Sequence, residues 1–314
     1  MGKIFLCWMI FLWGMSAASG VVESREERVF VLISHEGPQQ KEMVEGFKTH
    51  LLGQDSSLKI ETQNLSGEAK AGNRILEEIK RRKPDLIFAV GSLALDLTSG
   101  EIKDVPIIAG LVLRGEDSKA SPNLTGVSLE FPLDLQFRWL QRFLPSFNPI
   151  GVIYNPQENQ KRIDEATKVA SRMGLKLDPQ AVNHPKDLPM AMNYMAKRVQ
   201  VLWSLSDSLV LTPETVKHIL LFSFRNRIPL VGLSEAWVKA GALYALGWNF
   251  GDLGSQCGEL AWKALKGAKP ESIPLSSPRK VVYYVNLKIA RHMKIDISEE
   301  LVKGAKEVYK GDPS

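Results

Sequence analysis

Residues 85–95, DLIFAVGSLAL, carry an unbroken apolar stretch into a glycine and a serine, and then into a helical pattern. Residues 201–211, VLWSLSDSLVL, do the same later in the chain. A continuous apolar run with no polar alternation reads as a strand buried on both faces, as in a parallel sheet covered by helices. After each copy an X-Pro step opens a further short strand, VPIIAG at 105–110 and IPLVGL at 228–233. The same grammar runs twice, so the predicted fold class is α/β with two doubly wound parallel-sheet lobes, not one large sheet.

Outward from these stretches the alternation holds. RVFVLI at 28–33 reads as a buried strand, and Met43, Val44, Phe47 and Leu51 then recur at helical spacing with Lys41, Glu42, Glu45 and Lys48 between them. LKIETQN at 58–64 is another strand, followed by a helix through Ala71, Ile75 and Ile79. The pattern restarts at IGVIY, 150–154, with Ile163, Ala166, Ala170 and Met173 marking the next helix.

In open parallel sheets ligands bind beyond the carboxyl ends of the strands, near helix N-termini that offer free N–H groups. Two such lobes face to face make a cleft, and the candidate residues are those at the strand ends. From the first lobe these are Ser34, His35, Gly91, Ser92 and Gly110; from the second, Asn155, Ser206, Asp207, Ser234, Trp237 and Trp248. Gly91 and Ser92 suit an anionic group on the solute, or cap their own helix. Asn155 binds solute or caps a helix. Trp237 and Trp248 are candidates for a stacking wall, whereas Trp203, inside a strand, belongs to the core. Asp207 is either a charge for a cationic group on the solute or a turn acid bonded to nearby backbone.

The first 20 residues, MGKIFLCWMIFLWGMSAASG, hold one lysine, an apolar run too short to span a bilayer, and small residues after it. That is the pattern of a secretory signal peptide cleaved after Ala18 or Gly20. Beyond it only Cys257 remains, so no internal disulfide is available and stability rests on packed cores. A formal net charge of +5 spread over many acids and bases leaves no basic block for nucleic acid. No G-x-S-x-G or H-E-x-x-H motif occurs; His35, His50, His184, His218 and His292 are scattered, and Cys257 has no histidine near it. The expectation is a binding protein, with no catalysis, no cofactor and no metal.

In one order the chain carries KPDLIFAVGSLAL, DVPIIAG, PNLTGVS, IGVIYNPQEN, the Ser206-Asp207-Ser208 segment, IPLVGLSEAWVKAGALYALG, WNFGDLG and PRKVVYYVNLKIARHMKIDISEELVKGAKEV. This series resembles the solute-binding proteins of ABC importers, in the group that includes tryptophan- and phenylalanine-binding proteins. The resemblance implies a type I periplasmic-binding-protein fold whose lobes are joined by three crossings, near Gly126, Trp248 and Ile273. Lobe one would comprise residues 27–125 and 249–272, and lobe two residues 126–248 and 273–314. It also implies a periplasmic monomer that closes on a small-molecule solute and delivers it to a membrane permease. A sensory protein presenting its solute to a membrane receptor is the alternative. Asp207 is carried over as the amine-binding acid and Ser92 and Ser206 as hydroxyl donors, which favours an amino acid or related zwitterion. Departures stand at Ser206 to Ser208, where the family has Thr-Asp-Asn; at Leu111-Val112-Leu113-Arg114, where it has Val-Thr-Asp-Pro; and at Asn249-Phe250-Gly251, where it has Asp-Tyr-Tyr.

Overall fold

The structure, a computed structural model, describes residues 27–112 and 121–311. The signal-peptide reading and the departures at Leu113 and Arg114 lie outside the described residues. In chain order the elements are β1 (Arg28–Ile33), α1 (Pro38–Gln54), β2 (Lys59–Asn64), α2 (Ala69–Arg82), β3 (Leu86–Val90), α3 (Ser92–Glu101), β4 (Ile107–Val112), β5 (Leu124–Ser128), α4 (Leu133–Phe143), β6 (Ile150–Tyr154), α5 (Pro156–Arg172) and β7 (Leu177–Ala181). There follow α6 (Leu188–Met195), β8 (Val201–Trp203), α7 (Pro213–Asn226), β9 (Leu230–Gly232), α8 (Glu235–Ala240), β10 (Tyr244–Trp248), α9 (Phe250–Leu265), β11 (Val281–Asn286), α10 (Leu287–Met293), α11 (Glu299–Lys303) and β12 (Glu307–Tyr309).

The strands form two sheets, one of five strands ordered β2-β1-β3-β4-β5 and one of seven ordered β12-β11-β10-β9-β8-β6-β7. Neighbours are parallel except that β11 runs antiparallel to β10. Strand β1 shows why its sequence is apolar throughout. Val29, Val31 and Ile33 pack under α1 and α9, while Phe30 and Leu32 face Ile75 and Ile79 of α2 on the other side. Strand β6 repeats this: Ile150, Val152 and Tyr154 join the cluster beneath α4 and α5, and Ile153 the one beneath α6 and α7.

Helix α9 follows β10 of the second sheet in sequence but covers the first sheet, where Leu253, Cys257, Leu260 and Ala261 complete the cluster beneath α1. Its backbone touches that of α1. A Cβ on Gly254 would lie 1.9 Å from the Met43 carbonyl oxygen, and one on Gly46 would lie 2.1 Å from that of Gly251. Cys257 is fully buried and its thiol is pushed far above its usual pKa by that burial, as a packed residue's should be.

Gly126, where one crossing was expected, lies inside β5, and Ile273, expected at another, packs in the first lobe's core. The Ser276 N–H and carbonyl bond the Gly126 carbonyl and the Ser128 N–H, so this segment lies along β5. The chain passes between the sheets at 129–132, at 248–250 and at 277–280.

Tyr244 is buried in the second lobe with its ring stacked on Phe143 at 4.0 Å, and among the described residues its hydroxyl has no hydrogen-bond partner. Removing an unpaired buried hydroxyl removes a desolvation penalty. Tyr244→Phe is therefore expected to leave stability unchanged or raise it by up to about 1 kcal/mol, read by urea denaturation. A loss of more than that would show that the hydroxyl is bonded.

Candidate functional site

The strand orders fix where each sheet opens. In the first, β1 is followed by β2 on one side and, after a crossover, by β3 on the other; in the second, β6 is flanked in the same way by β7 and β8. The order thus reverses between β1 and β3 and between β6 and β8, and beyond the carboxyl ends of such strand pairs an α/β sheet leaves a crevice. The β1 and β3 ends carry Ser34, His35, Gly91 and Ser92; the β6 and β8 ends lead to Asn155 and to Ser206 and Asp207. Strands β5 and β10 both run off their carboxyl ends into crossings, so the two carboxyl edges border the same connections.

At the first switch point the buried Ser34 hydroxyl accepts a 2.9 Å bond from the Ala94 N–H, closing the start of α3. Gly91 is required here, since its φ is +91° and a Cβ would lie 2.6 Å from the Ser34 Oγ. Ser34 is thus occupied by the fold. Ser92 is the first residue of α3, exposed, with Gly91 at the N-cap. His35 is exposed and pairs through Nε2 with the Gln40 amide at 3.0 Å. Gly110 serves packing: a Cβ there would meet Met43 at 2.4 Å and Phe88 at 3.0 Å. The next residue, Leu111, has a φ of +55° and sits where the β4–β5 register shifts, a bulge that turns the strand end.

At the second switch point Asp207 is only 3% exposed and its carboxylate is saturated. Oδ2 accepts from the Asn155 N–H at 2.7 Å and the Asn159 amide at 2.9 Å; Oδ1 accepts from the Leu209 and Val210 N–H groups at 3.1 and 2.9 Å. A carboxylate has about four lone-pair positions, and four donors of the protein fill them. Asp207, expected as the amine-binding acid, spends its lone pairs within the fold in this structure. It is also more than a turn acid, because it joins the loop after β8 to the start of α5. Asn155 caps α5, its Oδ1 taking the Gln157 N–H at 2.8 Å. Ser206 is exposed, and its carbonyl accepts from Asn159 at 3.1 Å.

The remaining candidates are Ser234, Trp237 and Trp248. Ser234 is the N-cap residue of α8 and makes no side-chain cap bond. Trp237 is half-buried, lies against Gly232 and packs on the cluster beneath α6 and α7. The Trp248 indole N–H donates to the Leu129 carbonyl at 2.9 Å and its ring stacks on Phe131 at 5.3 Å, so it binds two crossings together. It packs against the cores of both lobes. Trp203 is in the core as expected, with its N–H on Gln136 at 3.0 Å.

Three groups had no sequence signal strong enough to single them out. Gln136 links Trp203 to the Phe131 carbonyl, to which it donates at 2.8 Å. Arg279, in the third crossing, bonds both Asp252 oxygens at 3.1 Å and Glu259 at 2.7 Å, which holds its pKa above the usual value. Glu158, in the first turn of α5, accepts from the Ser208 N–H at 2.9 Å and hydroxyl at 2.7 Å. Among the described residues no helix is long and apolar enough to cross a membrane.

The model of the family described as ABC transporter substrate binding protein matches residues 28–309. The chain is 26% identical over 241 residues to the tyrosine-binding protein of Clostridioides difficile, covering 73% of this chain and 69% of that one. Among solved structures it is similar to the ligand-free, open structure of a substrate-binding protein with adhesive properties from Clostridium difficile, at 22% identity and a TM-score of 0.72, covering 90% of this chain and 99% of the other. It is also similar to an ABC domain in complex with L-Trp from Streptococcus pneumoniae, at 22% identity and a TM-score of 0.59, covering 90% and 100%. The fold is that of the type I periplasmic binding proteins. With the family model matched over nearly all the described residues, the chain belongs to the ABC transporter substrate binding protein family.

Proposed function

We propose that this chain is the solute-binding component of an ABC importer, exported to the periplasm, and that it captures a small molecule between its lobes by closing about the three crossings. The observation that carries this reading is the pair of switch points, β1/β3 and β6/β8, at the carboxyl edges that border the same crossings. The exposed hydroxyls of Ser92 and Ser206 stand there, without a hydrogen-bond partner among the described residues. Trp248, bonded to Leu129 and stacked on Phe131, ties two of the connections about which the lobes would turn. The ligands of the relatives, tyrosine and L-Trp, make an amino acid or related zwitterion the first solute to test.

The test is a thermal-shift screen of residues 21–314 against amino acids, nucleosides, sugars and small organic acids, followed by small-angle scattering on any hit. A solute that binds only the folded form is expected to stabilise it by about 2.7 kcal/mol at a hundredfold excess over its Kd. The radius of gyration is expected to fall as the lobes close. A stabilising solute that left it unchanged would sink the closure mechanism, and a panel with no stabilising member would sink the small-solute reading.

A further inference from the structure

Glu158 stands at the β6/β8 switch point with one carboxylate oxygen held and the other open. Its Oε2 takes both Ser208 bonds, at 2.9 and 2.7 Å, and Oε1 is bonded to nothing among the described residues. The neighbouring acid, Asp207, has no such capacity. Acids nearer the crossings are also engaged: Glu130 by Arg162, Asp252 by Arg279 and Lys280, and Glu42 by the Gly251 N–H. Glu158 is exposed in this arrangement, so its charge is hydrated until something covers it. Two bonds to one oxygen fix the direction in which the other points, which reduces the ordering cost of a partner.

We propose that Glu158, aligned by Ser208, is the specificity-determining acid of the cleft, and that the solute carries an ammonium or similar cationic N–H group at the end that meets the second lobe. This rests on the reading of the lobes as a closing solute trap. Closure removes water from the carboxylate, and a charge-assisted bond from an ammonium then replaces it; a solute without that group leaves the charge buried and unpaired. Recognition would thus be both attractive and exclusive.

Calorimetric titration of tyrosine, tryptophan and their des-amino counterparts, hydroxyphenylpropionate and indolepropionate, tests this in the wild type, Glu158→Gln, Ser208→Ala and Glu36→Gln. The wild type is expected to bind an amino acid at least about tenfold more tightly than its des-amino partner. Glu158→Gln is expected to erase that preference with little change in melting temperature, and Ser208→Ala to weaken it. Glu36→Gln, on the exposed loop after β1, is expected to leave it intact. A preference that survives Glu158→Gln, or that falls only with Glu36→Gln, overturns the proposal. If neither pair binds while a solute without a cationic group closes the lobes, the proposal fails and the solute trap stands; if no solute closes them, both fail.

Discussion

Asp207→Ala is expected to destabilise the protein by roughly 3–5 kcal/mol, because each N–H left without an acceptor in a buried site costs about 1–3 kcal/mol. The substitution strands four donors at once, and the Asn155 and Val210 N–H groups lie where water reaches them poorly. It also unfastens the loop after β8 from the start of α5, so the loss reaches beyond one turn. For a chain of this size the melting temperature should fall on the order of 10 °C. Asp207→Asn should lose much of the same stability, since its amide turns an N–H toward donors where the carboxylate offered an acceptor. Urea denaturation measures both. A variant as stable as the wild type, but deficient in solute binding, would return Asp207 to the ligand and refute the saturated geometry.

The contact between α1 and α9 is the second place where one side chain should matter greatly. Gly254→Ala is expected to cost at least about 3 kcal/mol, at the upper end of overpacking penalties. The atom its Cβ would strike at 1.9 Å is the backbone carbonyl oxygen of Met43, which no rotamer change can move. Relief requires the helices to separate, and they hold the cluster of Met43, Phe47, Leu253 and Cys257 between them. Gly53→Ala is the matched control, since it lies in α1 too but a Cβ there meets nothing within 4 Å. That change should stabilise by up to about 1 kcal/mol through helix propensity. Equal effects at the two glycines would mean the close approach is absent.

The alternation of buried strands and helices was legible because β1, β3 and β6 have cores on both faces, and no polar residue interrupts them. The residues of the candidate site were legible as positions, since strand ends announce themselves through glycine, serine and asparagine. Their roles were not. Asp207 reads the same whether its lone pairs meet a solute or four N–H groups, and the partners Asn155 and Asn159 lie about fifty residues away. Trp248 likewise reads as a free aromatic until Leu129 and Phe131 are seen to hold it. In sequence Glu158 is an acid in a first helical turn, where the helix dipole alone accounts for it. The crossings expected near Gly126 and Ile273 begin a few residues further on, since a short strand such as β5 and its pairing with Ser276 leave no periodic mark in the sequence.

The long return of α9 also bears on the order of synthesis. Strands β1 to β5 emerge from the ribosome first, yet one face of their sheet lacks Leu253, Cys257, Leu260, Ala261 and Ala264 until α9 has been made. The leading sheet therefore spends most of translation with that face covered by α1 alone, while the second sheet's strands β6 to β10 are synthesised within the interval. A nascent chain shorter than about 265 residues should be protease-sensitive in its first half, and a helix made only after β6 to β10 completes the amino-terminal lobe.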